Sequence, residues 1–244
     1  MATPKHVEDS GQASVTVHDR LRDAILSGEL PAGAVMSQVE LAREFEVSRT
    51  PLREAMRMLQ REGLIEAEAN RRVRVTPISL VDLEELYSLR IVNEALGVRL
   101  TVPHLTAEDD AFLEHAIAEM NRYSAETDFV MKDRWHRDFH ERLVEHAGTR
   151  VVGFLRDLRD HAGRYRRMYV SSHEEAWPIA VIEHDQILQA ARDRDASRAA
   201  GQMARHLART ALNVMGTIAP EHEPAAVRTA LRTVLESSPS QEVF

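Results

Sequence analysis

Residues 39–65, VELAREFEVSRTPLREAMRMLQREGLI, contain two short helical patterns that meet at Val47 and Ser48. The second pattern carries four arginines at a strict four-residue spacing, which places them along one face of an α-helix: Arg49, Arg53, Arg57 and Arg61. A short cationic helix that begins after a serine cap is typical of a helix that binds in the major groove of DNA. A solvated helix face explains a single arginine equally well, but it explains a row of four poorly.

The sequence around this stretch predicts the remaining parts of a winged helix-turn-helix. Apolar residues recur with a helical period from Val17 up to Gly28, a residue that commonly ends helices. Ser37 precedes an acidic residue by three positions, the spacing of a capping box, and so predicts the start of the next helix. Apolar stretches at residues 64–67 and 73–76 flank a polar segment and predict a short two-stranded wing.

We therefore assign residues 15–77 to a winged helix-turn-helix DNA-binding domain, preceded by a flexible arm at residues 1–14. The first residues of a recognition helix reach deepest into the groove. Arginine can bind phosphates or guanine edges, and sequence alone does not separate the two roles. From their positions we predict that Arg49 and Arg53 contact bases. We expect Ser48 and Thr50 to contact phosphates or bases, and Arg43 on the preceding helix to contact the DNA backbone.

The formal net charge of −8 argues against nucleic acid until its distribution is considered. Residues 15–77 hold ten arginines and ten acidic residues and are therefore neutral. Residues 78–244 hold 20 basic and 27 acidic residues, so the acidic excess lies outside the predicted DNA-binding domain. A dimer that presents two cationic patches can bind DNA despite its net charge.

Composition excludes several other classes of protein. With 43% hydrophobic and 29% charged residues, the chain is globular rather than disordered. It contains no cysteine, which excludes disulfides and thiolate metal sites and fits the reducing cytoplasm. The polar N-terminus is unlike a signal peptide, and no apolar run reaches the roughly 20 residues of a membrane helix. We expect a cytoplasmic protein with no membrane partner.

Beyond Pro77 the chain reads as helical throughout. Six helical patterns joined by short links follow one another through residues 78–221, which predicts an antiparallel bundle. Residues 222–244 form a C-terminal tail, with one more turn or a short helix near residues 225–235. The predicted fold class is thus mainly α: a winged helix-turn-helix with a short β wing, followed by an antiparallel bundle of six to seven helices.

Four of the twelve histidines lie in a pattern that suits a metal ion. His136 and His140 are four residues apart and project from the same face of one helix, as paired ligands require. His184 and His206 fall in the fifth and sixth helices of the bundle, and such helices can bring distant residues together in the core. Imidazoles without thiolates suit zinc, nickel or iron. An i,i+4 histidine pair also arises by chance, so spacing alone leaves a purely structural role open.

Several motifs resemble one family of bacterial regulators. The segments LRDAILSGELPAG, LAREFEVSRTPLREAMRMLQREGLI and RRVRV resemble the DNA-binding domain of the GntR family of transcription regulators. The segments LYSLRIVNEAL, FHERLVEHAGTR and EHDQILQAARDRDASRAAGQMARHL resemble the FadR C-terminal (FCD) effector domain. The resemblance covers about residues 15–218. It implies a helical bundle of six or seven helices that binds one divalent ion, usually through an aspartate and three histidines.

On the matching positions, the resemblance implies that His140, His184 and His206 bind the metal, and the aspartate position falls on His136. A site of four neutral imidazoles has one negative charge fewer than a site of one aspartate and three histidines. This difference favours zinc or nickel over the harder manganese, and it strengthens the attraction to an anionic effector. Alternatively His136 does not ligate, and Asp133 and Asp138 lie nearby on other faces of the helix.

Two further residues acquire roles from the resemblance. Arg90 and Glu94 match the family's R-x-x-x-E pattern on the first effector helix, and Arg90 is a candidate to clamp an effector carboxylate. A salt bridge to Glu94 or to another helix explains Arg90 equally well. Arg72 stands where the wing often has glycine, so either the wing turn differs or Arg72 contacts the minor groove or a phosphate.

We predict a homodimeric, ligand-responsive transcription regulator, a repressor rather than an activator, that binds a palindromic DNA operator. A small organic or sugar acid would coordinate the metal and weaken operator binding by stabilising a DNA-incompatible arrangement of the domains. One alternative is a constitutive dimeric DNA-binding protein whose bundle only dimerises. The other alternative is a histidine-ligated metalloenzyme. Against it, the sequence contains no H-E-x-x-H motif, and an enzymatic function would leave the DNA-binding domain without a role.

Overall fold

The structure is a computed structural model that describes residues 5–69, 72–126, 128–172 and 176–236. The chain divides into two compact units, Met1–Ile78 and Ser79–Phe244. Within the described residues, the first unit is a helical fold with a small sheet and the second is entirely helical. The predicted fold class is confirmed.

The first unit contains three α-helices and a three-stranded antiparallel sheet in the described residues. In chain order these are α1 (Lys5–Ser27), β1 (Val35–Ser37), α2 (Gln38–Glu44), α3 (Arg49–Arg61), β2 (Ile65–Glu68) and β3 (Arg72–Val75). The strand order is β1-β3-β2, with β3 in the centre. Val35 of β1 pairs with Arg74, and Ile65 of β2 pairs with Val75.

The predicted two-stranded wing was therefore incomplete, because β1 adds a third strand. β1 is only three residues long, which is too short to reveal an alternating pattern in the sequence. It ends at Ser37, whose side chain caps α2 by accepting a hydrogen bond from the Glu40 backbone N–H. Ser37 thus takes part both in strand pairing and in helix capping.

Helix α1 begins at Lys5, so residues 5–14 are helical where the sequence analysis assigned a flexible arm. Those residues lack an apolar period, but they continue a helix that is already nucleated by its amphipathic part, and each added residue contributes a hydrogen bond without a new nucleus. The first four residues of the assigned arm lie outside the described residues. As predicted, α1 ends before Gly28, which adopts a φ of 81°.

The core of the first unit joins α1 to α3 and the sheet. The largest of its fully buried side chains are leucines of α1 and α3 and the leucine before β2: Leu21, Leu26, Leu52, Leu59 and Leu64. At the edge of this core, the Glu62 carboxylate after α3 binds two α1 side chains, His18 and Arg22. This polar cluster holds the end of the recognition helix against α1.

The second unit contains seven α-helices in the described residues. They are α4 (Leu80–Thr101), α5 (Ala107–Ala125), α6 (Phe129–Arg142), α7 (Thr149–Ser172), α8 (Ala176–Arg192), α9 (Ala196–Ile218) and α10 (Ala225–Glu236). Short 3-10 turns follow α4 and α6. Thr106 and Asp109 form the expected capping box at the start of α5.

Helix α4 is central to this unit and packs against α7, α9 and α10, while α5 packs against α6 and α8. The close approach at Gly97 makes room for the buried side chains of Val144 and Leu155. Helix α10 buries Val227, Ala230 and Val234, so residues 225–236 are part of the bundle. The short helix predicted near residues 225–235 is thus present, and it packs on α4 and α9, where the sequence analysis had assigned a tail. Residues 237–244 lie outside the described part.

Among the described residues, none of the helices combines the length and the apolar character that crossing a membrane requires.

Candidate functional site

The side chains predicted to contact DNA are exposed on the first unit. These are Arg43 on α2, Ser48 before α3, Arg49, Thr50 and Arg53 on α3, and Arg72 on β3. Ser48 has the extended backbone of a helix cap, but its side chain forms no capping hydrogen bond. Its hydroxyl therefore keeps its hydrogen-bonding capacity for another partner.

A depression of about 340 Å³ lies where the start of α2 meets the start of α3, and Arg49 and Arg53 line it. Gln38 and Val39 of α2 and Leu52 of α3 complete its wall. Sequence reasoning missed Gln38, an amide that can bind adenine through two hydrogen bonds. The signal was present, because Gln38 is the first residue after the Ser37 cap.

The four arginines along α3 differ in whether the protein itself already binds their side chains. Arg57 bonds to Glu54 one turn earlier, with 2.8 Å between Nη1 and Oε1, and Arg61 Nε lies 3.4 Å from the Arg57 backbone oxygen. Within the part of the chain that the structure describes, Arg49 and Arg53 form no ion pair. The two arginines nearest the start of α3 thus have unneutralised charges and are the better anion binders.

The wing offers one exposed arginine and one that is already paired. Arg72 lies at the start of β3 opposite Glu68 and Ser37. Arg74 bonds to Glu68 across the strands, with 2.6 Å between Nε and Oε1. The wing turn at residues 70–71 lies outside the described residues, so the prediction that this turn departs from the glycine-containing form stays a prediction.

In the second unit, the structure brings all four predicted histidines together in the core. His136 and His140 come from α6, His184 from α8 and His206 from α9, and the four are buried. One ring nitrogen from each residue lies within 4.8 Å of those of the other three. Neighbouring imidazoles touch, with 4.4 Å between the ring centres of His136 and His140 and 4.7 Å between those of His184 and His206.

The hydrogen bonds of these histidines are those of metal ligands. His140 Nδ1 lies 3.1 Å from Glu94 Oε2, and His206 Nδ1 lies 2.9 Å from Glu183 Oε2. A carboxylate on one ring nitrogen fixes the tautomer and leaves the other nitrogen to ligate. Buried ring nitrogens of the other two residues and Nε2 of His140 have no hydrogen-bond partner among the described residues. Unpartnered buried nitrogens are rare in folded proteins, so these atoms fit the ligands of a cation.

Electrostatics also favour the ligating form of the imidazoles. Burial lowers the pKa of His140 to about 3, against the opposing effect of Glu94. Burial, with Arg90 nearby, lowers the pKa of His206 to about 4. Burial likewise lowers the pKa of His136 and His184. All four rings are neutral near pH 7, and neutral imidazole nitrogens bind divalent ions of borderline hardness.

The two aspartates considered as alternatives to His136 lie away from the cluster. Asp133 is buried one turn before His136, and its carboxylate binds Arg166 of α7, with 2.9 Å between Oδ1 and Nε. Asp138 lines a surface depression with Glu141 and Arg142. Among the described residues, the group whose atoms converge consists of the four histidines without a carboxylate.

Arginines from two helices flank the cluster. Arg90 of α4 is 1% exposed, and its Nε lies 2.8 Å from Glu94 Oε1. The predicted salt bridge to Glu94 is therefore present, but the buried Arg90 Nη2 atom has no hydrogen-bond partner among the described residues. Arg159 of α7 is also buried beside Glu94, and sequence reasoning missed it. Its signal was its spacing, because Arg159 lies four residues after Leu155 and seven before Arg166 on the buried face of α7.

Comparison with known families divides the chain at the same place as its fold. Residues 13–75 match the family described as bacterial regulatory proteins, gntR family, and residues 85–209 match the FCD domain. The two matches follow the boundary between the compact units, which lies at Ile78 and Ser79.

Individual relatives are regulators too. The chain is 30% identical over 148 residues to an uncharacterised HTH-type transcriptional regulator, YdhC of Bacillus subtilis, a match that spans 59% of this chain and 63% of that protein. It is 34% identical over 137 residues to the gluconate operon transcriptional repressor of Bacillus licheniformis, which spans 53% of each. The Escherichia coli structure McbR/YncC shares the fold at a TM-score of 0.73 and 18% identity, covering 84% of this chain and 98% of that one.

Proposed function

The chain belongs to the GntR family of bacterial regulatory proteins and carries an FCD domain, and from this premise we propose that it is a metal-dependent, acid-responsive repressor. As a member of this family it is a DNA-binding transcription regulator and not an enzyme. The proposal adds that a small organic or sugar acid, bound at the four histidines, lowers its affinity for a palindromic operator.

The observation that carries the proposal is the group of four buried histidines with unpartnered ring nitrogens beside buried guanidinium groups. His136, His140, His184 and His206 would hold a divalent ion, with zinc or nickel favoured by four neutral nitrogen donors. Such an ion would supply an open coordination position for a carboxylate oxygen. Arg90 would orient the acid, because its Nη2 atom is free to donate while Nε stays on Glu94.

DNA recognition would rest on the first unit. The unpaired arginines Arg49 and Arg53 line the depression at the start of α3 and would contact base edges, with Ser48 and Thr50 beside them. Arg43 and Arg72 would bind phosphates, or Arg72 the minor groove. An acid that binds the DNA-incompatible arrangement of the two units more tightly must by linkage weaken operator binding. The name of the Bacillus licheniformis relative supports repression over activation.

An exposed apolar face of α4 supports a homodimer. Five large apolar residues follow one another along it at helical spacing: Val81, Leu89, Val92, Leu96 and Leu100. The opposite face of the same helix carries Arg90 and Glu94 at the histidine cluster. A contiguous apolar face on a protein surface marks an interface, and a second copy of this chain would give the two-fold symmetry that a palindromic operator requires. We place the protein in the cytoplasm, where its DNA is.

Metal analysis and DNA binding test the proposal together. We expect purified protein to contain zinc or nickel, to lose it in His140→Ala and His184→Ala, and to keep it in His104→Ala, a control at an exposed histidine of the same unit. Operator DNA, selected from random sequences, should be released from the metal-loaded protein by organic or sugar acids in a gel-shift titration. If the purified protein contains no metal and no acid changes its operator affinity, the result would instead support a constitutive DNA-binding dimer.

A further inference from the structure

Arg159 on α7 carries a positive charge that the described residues do not neutralise by hydrogen bonding. The residue is 3% exposed, and both terminal nitrogens, Nη1 and Nη2, are buried without a hydrogen-bond partner. The carboxylate oxygen in ion-pair range, Glu94 Oε2, lies 3.9 Å from Nη1, which is beyond hydrogen-bond distance. A buried guanidinium in this state is costly, so it calls for a partner that the chain itself does not provide.

Glu94 gives Arg159 only a long contact of 3.9 Å, because two other groups bind its oxygens more closely. Its Oε1 accepts from Arg90 Nε at 2.8 Å, and its Oε2 lies 3.1 Å from His140 Nδ1. The third buried arginine at this site, Arg166, is matched by Asp133. Two guanidinium groups, Arg90 and Arg159, therefore share one carboxylate, and one positive charge remains in excess.

The unpartnered donors lie on both sides of Glu94, which also contacts a histidine of the cluster. Arg90 contributes Nη2 from α4, and Arg159 contributes Nη1 and Nη2 from α7. Planar guanidinium groups with free terminal nitrogens match the paired oxygens of a carboxylate. A carboxylate at the metal can accept from Arg90 Nη2, but Arg159 Nη1 and Nη2 would still lack an acceptor among the described residues, and a second carboxylate would supply one.

We propose that the effector is a dicarboxylate, with one carboxylate at the four-histidine site and the other held between Arg90 and Arg159. The inference rests on the proposed function, since it takes the histidine cluster as the site of the first carboxylate. It narrows the effector from organic and sugar acids in general to those with two anionic ends. Arg159 is then the residue that distinguishes a dicarboxylate from a monocarboxylate of the same skeleton.

Matched pairs of acids test this directly with the zinc-loaded full chain. Glucarate and gluconate share a six-carbon skeleton, malate and 2-hydroxybutanoate share a four-carbon skeleton, and the members of each pair differ by one carboxylate. By isothermal titration calorimetry we expect the dicarboxylate of the pair that binds to bind about tenfold or more tightly than its partner. Arg159→Gln should abolish this preference by lowering dicarboxylate affinity about tenfold or more, to near that of the monocarboxylate. Arg156→Gln, an exposed arginine one turn earlier on α7, is the matched control and should keep the preference.

Equal affinity within each pair that binds, or an Arg159→Gln variant that retains the preference, would overturn the inference while leaving the proposed function in place. If zinc binds and no acid does, the proposed effector fails, and a second measurement decides the role of Arg159. Arg159→Met removes a buried unmatched charge, so we expect it to raise the melting temperature of the acid-free protein. A lowered melting temperature would make Arg159 a structural residue and end the proposal.

Discussion

The hydroxyl oxygen of Tyr165 on α7 lies 3.0 Å from the backbone oxygen of Ser79, the first residue of the helical unit. It also lies 2.6 Å from Asp82 Oδ2 in the first turn of α4, and the Tyr165 side chain is fully buried. The next residue, Arg166, binds Asp133 on α6, one turn before His136. Helix α7 thus contacts both the start of the helical unit and the helix that carries two of the clustered histidines.

This connection leads us to expect that Tyr165→Phe separates acid binding from operator release. The variant removes a buried hydroxyl whose partners are left without it, so the free energy of unfolding should fall by roughly 1–3 kcal/mol in urea titrations. Metal content and acid affinity should stay as in the wild type, because Tyr165 does not touch the histidines. The acid concentration that releases half of the operator DNA should rise.

The matched control is Tyr123→Phe on α5, which removes a hydroxyl away from Ser79. It should leave operator release unchanged. If Tyr165→Phe and wild type release DNA at the same acid concentration, α7 does not transmit the response through this contact.

In the DNA-binding unit we expect the arginine row to act unequally. Arg53→Ala should weaken operator binding by about tenfold or more, since a lost base contact costs about 1–3 kcal/mol. Arg57→Ala should weaken it less, because Arg57 is already paired with Glu54. Fluorescence anisotropy with the selected operator and a scrambled duplex measures both. Equal losses for the two variants on both duplexes would mean that the whole row binds phosphates.

At the histidine cluster, His136→Asp should change metal preference. The substitution adds a negative charge and a hard oxygen donor to three imidazoles, which favours manganese relative to zinc. Competition between the two ions, followed by metal analysis of the desalted protein, should show a larger manganese fraction than in the wild type. His115→Asp, on α5 outside the cluster, is the control. An unchanged metal ratio in His136→Asp would indicate that residue 136 does not ligate.

Sequence was sufficient where a pattern is local. The period of apolar residues and the cap at Ser37 predicted helices that the structure contains, because helix formation and capping depend on residues within one turn. Strand β1 was missed because its three residues gain their structure from pairing with β3.

The candidate site was predictable only in its regular parts. His136 and His140 share a helix face, so their spacing revealed them, whereas the convergence of His184 and His206 on them depends on how α8 and α9 pack. Arg159 was missed because its spacing from Leu155 places it on the buried face of α7 but does not show which groups it meets there. Its role depends on which carboxylate side chains the fold places near it, and that is a property of the tertiary structure.

A pH-dependent contribution to stability is expected from His18. Burial opposes its protonation, but the hydrogen bonds and charges of Glu62 and Asp19 outweigh it and raise its pKa above 6.5. Since the folded pKa is above the unfolded one, this contribution is fully present below pH 6.5 and is lost as the pH rises through the raised value. The stability difference between wild type and His18→Gln in urea should therefore shrink as the pH rises above 6.5.

The control for His18 is His104→Gln, at an exposed position of the second unit, measured over the same pH range. A His18→Gln difference that grows toward alkaline pH would show that the neutral ring, and not the imidazolium, is the form that Glu62 stabilises.

Gly97 on α4 tests how closely the helices around the histidine site are packed. A Cβ atom at this position would lie 2.8 Å from Val144 Cγ1 and 3.1 Å from Leu155 Cδ1, closer than packed carbon atoms come. Val144 and Leu155 are fully buried, so neither can yield without disturbing its own neighbours. Gly97→Ala should therefore lower the free energy of unfolding by about 1–3 kcal/mol, despite the higher helix propensity of alanine.

Gly153→Ala on α7 is the matched control, since no atom lies within 4 Å of its added Cβ. Alanine there should stabilise the helix by about 0.5–1 kcal/mol. Because Glu94 lies one turn before Gly97, a shift of α4 would also disturb the carboxylate that contacts His140, so metal affinity should fall with stability in Gly97→Ala alone. If both glycine variants are stabilised alike, Val144 can yield, and the packing at α4 is looser than these distances indicate.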